Sequence, residues 1–228
     1  MEWWPWLLYL CTNWYFWPFI AAAVSAVAWP FIRIFRLWKA KARFIRSQGA
    51  KLQNPQNADA RFQLANIYAE GGGWKRALEY AQESVQVAQE NPLYEGQVPY
   101  HFLRLLGDAN FHRGQFAEAI EAYQRALGAK SDLGHADARF GLGKAQFRRG
   151  DLENAFETQR LALEDNGSNL EGYFRLAQAA RELGRDVAVV KVKREFWRVA
   201  ASLPAFAGRH RLRWRVAMFF FPISRFLI

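Results

Sequence analysis

The chain has 228 residues, which suits one folded domain with appendages, and its content of 51% apolar and 23% charged residues excludes a disordered chain. The single cysteine excludes an internal disulfide and a cysteine-based zinc site. The net charge of +10 lies in two flanks, since residues 33–51 carry +7, residues 191–225 carry +8 and residues 59–186 carry −4. A nucleic-acid binder usually carries its basic surface on the folded domain, so this distribution favours an anionic membrane surface instead.

The first element is a Trp-rich apolar segment at residues 1–32. From Trp3 to Phe31 no side chain is ionisable, a run longer than the roughly 18 residues that suggest a transmembrane helix. We predict a span within residues 7–32 with a kink at Pro18, or a span that starts near Trp14 and leaves the first residues along the interface. Either lipid contact or packing against another membrane subunit explains the aromatic side chains, for which the candidates are Trp14, Trp17 and Trp29.

A basic juxtamembrane helix or linker follows at residues 33–56. Its cations adjoin the predicted span, and Arg33, Arg36 and Lys39 are candidates for contact with lipid phosphates. Because positive charge marks the cytoplasmic side of a span, we expect a single-pass protein whose carboxy-terminal part lies in the cytoplasm.

Residues 57–203 repeat one pattern of helix pairs. A first helix such as 61–68, 103–111 or 139–145 is followed by a glycine turn and then by an alanine with a large apolar neighbour. The three pairs of alanine and large apolar residue are Ala77-Leu78, Ala119-Ile120 and Ala155-Phe156. Apolar residues recur at helical spacing and no strand-like alternation of useful length appears, which predicts an all-α solenoid of helix-turn-helix units.

This pattern resembles the tetratricopeptide repeat (TPR) family, whose period is about 34 residues, and in plan its membrane-anchored bacterial members. The resemblance covers about three and a half to four repeats and implies a protein-binding solenoid. Two departures are the missing tryptophan at the first motif position and Val189 in place of alanine in the fourth repeat.

In this family the first helix of each pair lines a groove, so the resemblance implies which side chains could hold a peptide. Exposed aromatic anchors would be joined by basic groups that meet acidic partner residues, although some phenylalanines could instead pack between repeats. The candidates are Phe62, Asn66, Arg104, Asp108, Phe111, Phe140, Lys144, Phe147, Phe174 and Arg181.

No pattern of catalytic or metal-binding residues stands out. None of the four histidines is placed four residues from another, and neither a phosphate-binding loop nor a nucleophile elbow occurs. We therefore expect a protein without enzymatic activity, cofactor or metal.

The tail, residues 204–228, is basic and then apolar, and its last 13 residues are too few to span a bilayer. We predict a short membrane-proximal segment, with the alternative that Phe219, Phe220 and Phe221 fold back to cap the last repeat. The basic candidates for the membrane surface are Arg209, Arg211, Arg213 and Arg215.

Together these elements predict a scaffold or assembly factor of the bacterial inner membrane whose cytoplasmic TPR domain recruits a protein partner. The alternative is a stoichiometric accessory subunit of a larger membrane complex, for instance an energy-transducing one, docked through its Trp-rich helix. The expected partners are membrane-complex subunits or a peptide segment, together with anionic lipid and without nucleic acid.

Overall fold

The computed structural model describes residues 57–129, 135–203 and 208–221, together with seven helical positions between residues 31 and 42. The predicted span falls almost entirely outside these residues, as do Trp14, Trp17, Trp29, Arg33 and Arg36. In the described part, no helix combines the length and the apolar character that a membrane crossing requires.

The described helices form four consecutive antiparallel hairpins and one terminal helix. Each helix packs on its partner in the hairpin and on the neighbouring hairpin. The hairpins are α1 (Ala58–Glu70) with α2 (Trp74–Glu90), α3 (Tyr100–His112) with α4 (Phe116–Gly128), α5 (Ala136–Arg149) with α6 (Leu152–Asp165), and α7 (Leu170–Glu182) with α8 (Asp186–Ser202), followed by α9 (Gly208–Phe219). The predicted all-α solenoid is confirmed, and no strand occurs within the described residues.

Glycines make the turns inside the hairpins. Gly72, Gly114, Gly150 and Gly184 all have positive φ, between 68° and 90°, where a side chain would strain the backbone. These are the four glycines at which the sequence predicts the first helix of each pair to end. Asn57 and Asn169 cap α1 and α7, since their side-chain oxygens accept hydrogen bonds from the amides of Ala60 and Gly172.

Small residues allow the hairpins to approach closely in the middle of the solenoid. The Tyr123 side chain is 1% exposed and lies against the backbone of Gly107 and Gly141. Its hydroxyl group donates a hydrogen bond of 2.6 Å to Asp108 Oδ1, which holds the ring between α3 and α5. Burial, with the neighbouring Asp108 carboxylate, raises the pKa of Tyr123, so the phenol stays protonated.

The connection between the first two hairpins contains a short 3₁₀ helix, Pro92–Tyr94, which makes the interval from α1 to α3 longer than the interval from α3 to α5. The helix ends at Glu95 in a left-handed conformation with φ of 49°. The Tyr94 hydroxyl donates a hydrogen bond of 2.9 Å to Asp59 Oδ2 at the start of α1. Burial and this hydrogen bond raise the pKa of Tyr94 to about 12. The insertion is therefore attached to the first hairpin.

Helix α9 packs on the last hairpin. The structure realises the capping alternative in part. Trp214, Met218 and Phe221 are buried, whereas Phe219 and Phe220 are 69% and 43% exposed and do not fold back onto the last repeat. The buried cluster contains Trp214, Met218 and Phe221 of the tail with Leu170, Phe174 and Phe196 of α7 and α8. The Arg181 guanidinium also donates a hydrogen bond of 2.9 Å to the Phe221 carbonyl oxygen. The apolar side chains of α9 supply the cover that a terminal repeat needs.

Candidate functional site

A pocket of about 390 Å³ lies among the first helices of the second, third and fourth hairpins. We call it the groove pocket. It is lined by Trp74, Arg104, Asp108, His112, Asp137, Phe140, Gly141, Lys144, Gln159, Asn169, Glu171, Gly172 and Arg175. Most of these residues belong to α3, α5 and α7, which are the helices that the sequence resemblance assigns to the groove.

Charges of both signs alternate across the groove pocket. On α3, Arg104 Nη1 lies 2.8 Å from Asp108 Oδ2. On α7, Arg175 Nε lies 3.5 Å from Glu171 Oε1, and Lys144 Nζ of α5 approaches the same carboxylate at 3.9 Å. Burial lowers the pKa of the Arg175 guanidinium, although Glu171 opposes this shift. The wall of the pocket therefore offers donors and acceptors that are already oriented by one another.

An aromatic pair completes one side of the groove pocket. The Trp74 and His112 rings are stacked with their centroids 3.8 Å apart and their planes at 11°. Partial burial lowers the pKa of His112, which keeps the imidazole neutral at pH 7. A flat, uncharged surface beside paired charges suits an apolar or aromatic side chain of a peptide.

Four of the predicted groove residues, Arg104, Asp108, Phe140 and Lys144, line the groove pocket. Phe140 is 6% exposed and packs with Leu163 and Leu176, so it belongs to the interface between hairpins. It forms a wall of the pocket and is not an exposed anchor. For Phe140 the correct alternative is packing between repeats.

Two further predicted groove residues lie at the end of the solenoid and not in the groove pocket. Phe174 is 4% exposed, and its ring centroid lies 5.5 Å from that of Trp214 in α9. Arg181 bonds to the Phe221 carbonyl oxygen. The prediction that these residues meet a peptide is corrected, because α9 covers them.

The remaining predicted groove residues are half-buried at other places. Phe62 stacks on Phe102 with centroids 4.8 Å apart, and Phe111 lies 5.7 Å from Lys144 Nζ, measured to the ring centre. Asn66 and Phe147 are partly exposed and do not line the groove pocket.

Four residues that line the groove pocket were not predicted from the sequence: Trp74, His112, Glu171 and Arg175. One signal was available, because Glu171 and Arg175 repeat the opposite-charge spacing of Arg104 and Asp108 at four residues. The stack of Trp74 on His112 joins two hairpins across 38 residues and has no such local signal.

Among the predicted membrane-surface residues, Lys39, Arg213 and Arg215 are exposed. Arg209 and Arg211 belong to α9, but their side chains lie outside the described residues. In the part of the chain that the structure describes, no group of three or more His, Cys, Asp or Glu residues could hold a metal ion.

The fold and the groove pocket define a repeat protein built from helical hairpins. A family model described as tetratricopeptide repeat matches residues 94–133 and 129–170, which include α3 to α6. The chain shows no significant match among curated proteins.

Solved structures share the same architecture. A crystal structure of MamA superposes with a TM-score of 0.60 at 22% identity, over 71% of this chain and 91% of MamA. A second structure, of MamA residues 41 to the end from Desulfovibrio magneticus RS-1, gives a TM-score of 0.62 at 13% identity, over 78% of this chain and 96% of the MamA chain. The structure of YrrB, described as a TPR protein with an unusual peptide-binding site, gives a TM-score of 0.58 at 15% identity, over 80% of this chain and 84% of the YrrB chain. At these identities the likeness establishes the fold alone.

Proposed function

We propose that this protein is a membrane-anchored scaffold of the bacterial inner membrane whose TPR domain holds a segment of a partner protein in the groove pocket. The observation that carries the proposal is the groove pocket itself, where three charge pairs stand beside the stacked Trp74 and His112 rings. A TPR solenoid binds other proteins through such surfaces, and the similar YrrB has a peptide-binding site.

The chemistry of the pocket indicates the kind of segment that it holds. Lys144 is held less tightly than Arg104, since its nearest carboxylate oxygen is 3.9 Å away. An acidic side chain of the partner competes for Lys144, while an apolar neighbour in the same segment packs on the Trp74 and His112 rings. Alternating signs on the wall disfavour partners of a single charge sign, because each would meet repulsion as well as attraction.

Membrane attachment is proposed from the amino-terminal part of the chain. The run from Trp3 to Phe31 carries no ionisable side chain and is followed by seven cations without an acid. At its end the apolar side chains of Phe31, Ile34, Phe35 and Trp38 are between 58% and 69% exposed. Their spacing of three to four residues places them on one helical face, and lipid is the cover that we propose for it.

Photo-crosslinking in cells tests the groove pocket. A benzoylphenylalanine at Asp137, an exposed residue of the pocket, should capture a discrete partner, whereas the same probe at exposed Glu121 of α4 should not. Lys144→Glu should lower the Asp137 crosslink about tenfold, the effect of roughly 1.4 kcal/mol in binding. Arg125→Glu, an exposed cation of α4, is the matched control and should leave capture unchanged.

If the probes at Asp137 and Glu121 captured the partner equally, the proposal that the groove pocket holds it would be refuted. The alternative, an accessory subunit docked through residues 1–32, predicts a different pattern. In that case a membrane partner co-purifies stoichiometrically in mild detergent, and Lys144→Glu has no effect on it.

A further inference from the structure

Helix α9 has a second apolar face that points away from the solenoid. Leu212, Val216 and Phe219 are spaced by four and three residues and are 63%, 49% and 69% exposed. Phe220, directly after the helix, is 43% exposed. These residues lie opposite Trp214 and Met218, which are buried against the last hairpin. Capping the solenoid therefore uses one apolar face of α9 and leaves the other exposed.

Cations flank this outward face. Arg213 and Arg215 are exposed, and neither makes an ion pair with any residue that the structure describes. The Arg215 guanidinium lies 5.6 Å from the centre of the Trp197 ring in α8, so the two helices meet at this cation. On the exposed side of α8 follow Lys191, Arg194 and Arg198.

The same two helices hold few acidic groups. Within the residues that the structure describes, α8 contains Asp186 and Glu195, and α9 contains neither aspartate nor glutamate. Glu195 Oε2 lies 2.5 Å from Arg198 Nη2 and so offsets only that cation. The end of the solenoid is consequently basic around an exposed apolar row.

We infer that this outward face of α9, together with the basic row of α8, is a docking surface for an anionic lipid bilayer. An exposed apolar row flanked by arginines is the arrangement of helices that lie in the membrane interface, where the cations meet phosphate groups and the apolar side chains enter the acyl boundary. Its inward face caps the repeats and its outward face contacts lipid, so the two roles do not compete.

Docking through α9 has a consequence for the groove pocket. Helix α9 is attached to α7 by the Arg181 hydrogen bond and the Phe174–Trp214 contact. Helix α7 also carries Glu171 and Arg175 of the pocket. The bilayer contact therefore fixes the orientation of the groove pocket relative to the membrane. This inference rests on the membrane location proposed above.

A site-specific probe on the full chain tests the contact. In a Cys11→Ser background, Phe219→Cys carries an environment-sensitive NBD dye, and the protein is reconstituted into vesicles that contain doxyl-labelled lipid. We expect quenching and a blue shift in phosphatidylglycerol–phosphatidylcholine vesicles, and much less in phosphatidylcholine alone. Leu161→Cys, whose parent side chain is 42% exposed on α6, is the matched control and should stay unquenched.

Charge reversal then tests the arginines. Arg213→Glu with Arg215→Glu should lower the ratio of docked to undocked protein by more than about thirtyfold, because the loss of two basic residues from an anionic surface alone gives about that factor and the added carboxylates are repelled. Both side chains are exposed, so the fold should not change, and α-helical circular dichroism checks this. Arg125→Glu on α4 is the control and should leave the quenching as it was.

Three results would overturn the inference. An unquenched Phe219 probe in anionic vesicles excludes lipid contact, and equal quenching of the Leu161 probe shows general adhesion. A blue shift without lipid quenching that grows with the protein-to-lipid ratio assigns the face to a second copy of the chain. Crosslinking from Asp137 in cells reports separately on the groove pocket, so the failure of one proposal is not mistaken for that of the other.

Discussion

Gly141→Ala probes how closely the second and third hairpins pack. An added Cβ atom would lie 2.4 Å from Tyr123 Cζ and 2.8 Å from its hydroxyl oxygen, whereas carbon atoms in contact are about 3.5 Å or more apart. The ring cannot move aside freely, since it is 1% exposed and its hydroxyl group is bonded to Asp108. Such overpacking costs about 1–3 kcal/mol, and alanine recovers about 1 kcal/mol of helix propensity.

Because an approach of 2.4 Å to a fixed ring belongs at the upper end of that cost, we expect Gly141→Ala to reduce the free energy of unfolding by about 2 kcal/mol. The melting temperature should fall by about 4–8 °C. Thermal and urea unfolding of the detergent-solubilised full chain, followed by circular dichroism at the helical band, measures both. Gly128→Ala is the matched control, because no atom lies within 4 Å of the added Cβ, and it should cause no loss. If the two variants behaved alike, Tyr123 would not occupy the seam between α3 and α5.

Two further predictions concern the cap and the histidines. Trp214→Ala should lower the free energy of unfolding by about 3–5 kcal/mol because Trp214 is 4% exposed. Leu212→Ala on the outward face should lower it little, and equal melting temperatures of the two variants would contradict the cap. Burial lowers the pKa of His101 and His112, so the free energy of unfolding should fall as the pH drops below about 6.5. His112→Asn should make the urea midpoint less dependent on pH, and an unchanged dependence would contradict this.

The hairpin turns could be predicted from the sequence because they depend on local conformation. A glycine after a helical run at Gly114, Gly150 or Gly184 indicates a left-handed residue whatever lies around it, and all three have positive φ. The packing between hairpins is different. The close approach of Tyr123 to Gly141 joins two hairpins, so the spacing of residues along the sequence does not reveal it.

The burial of the groove aromatics could not be predicted from one helix. Phe140 and Phe147 share a face of α5, yet Phe140 is buried and Phe147 is half-exposed. The difference comes from Gly172 of the next hairpin, where an added Cβ would lie 2.4 Å from Phe140 Cε1. The absence of a side chain at that distant position lets α7 cover Phe140.

The tail shows a different limit to what can be predicted from sequence. Its apolar and basic residues predicted either a membrane segment or a cap, because composition does not reveal how a helix divides its faces. Packing assigns Trp214 and Met218 to the cap and leaves Leu212 and Val216 exposed. A helix with two apolar faces satisfies both patterns in one element.

The position of α9 bears on how this solenoid can evolve. Repeat proteins lengthen when a hairpin is duplicated and stacks on the exposed end of its neighbour. Here Trp214, Met218 and Phe221 occupy the surface of the fourth hairpin where a fifth would stack. New repeats can enter the middle of the array, whereas growth at the carboxy-terminal end first requires the displacement of α9. Helix α9 thus prevents further repeats from being added at the carboxy-terminal end.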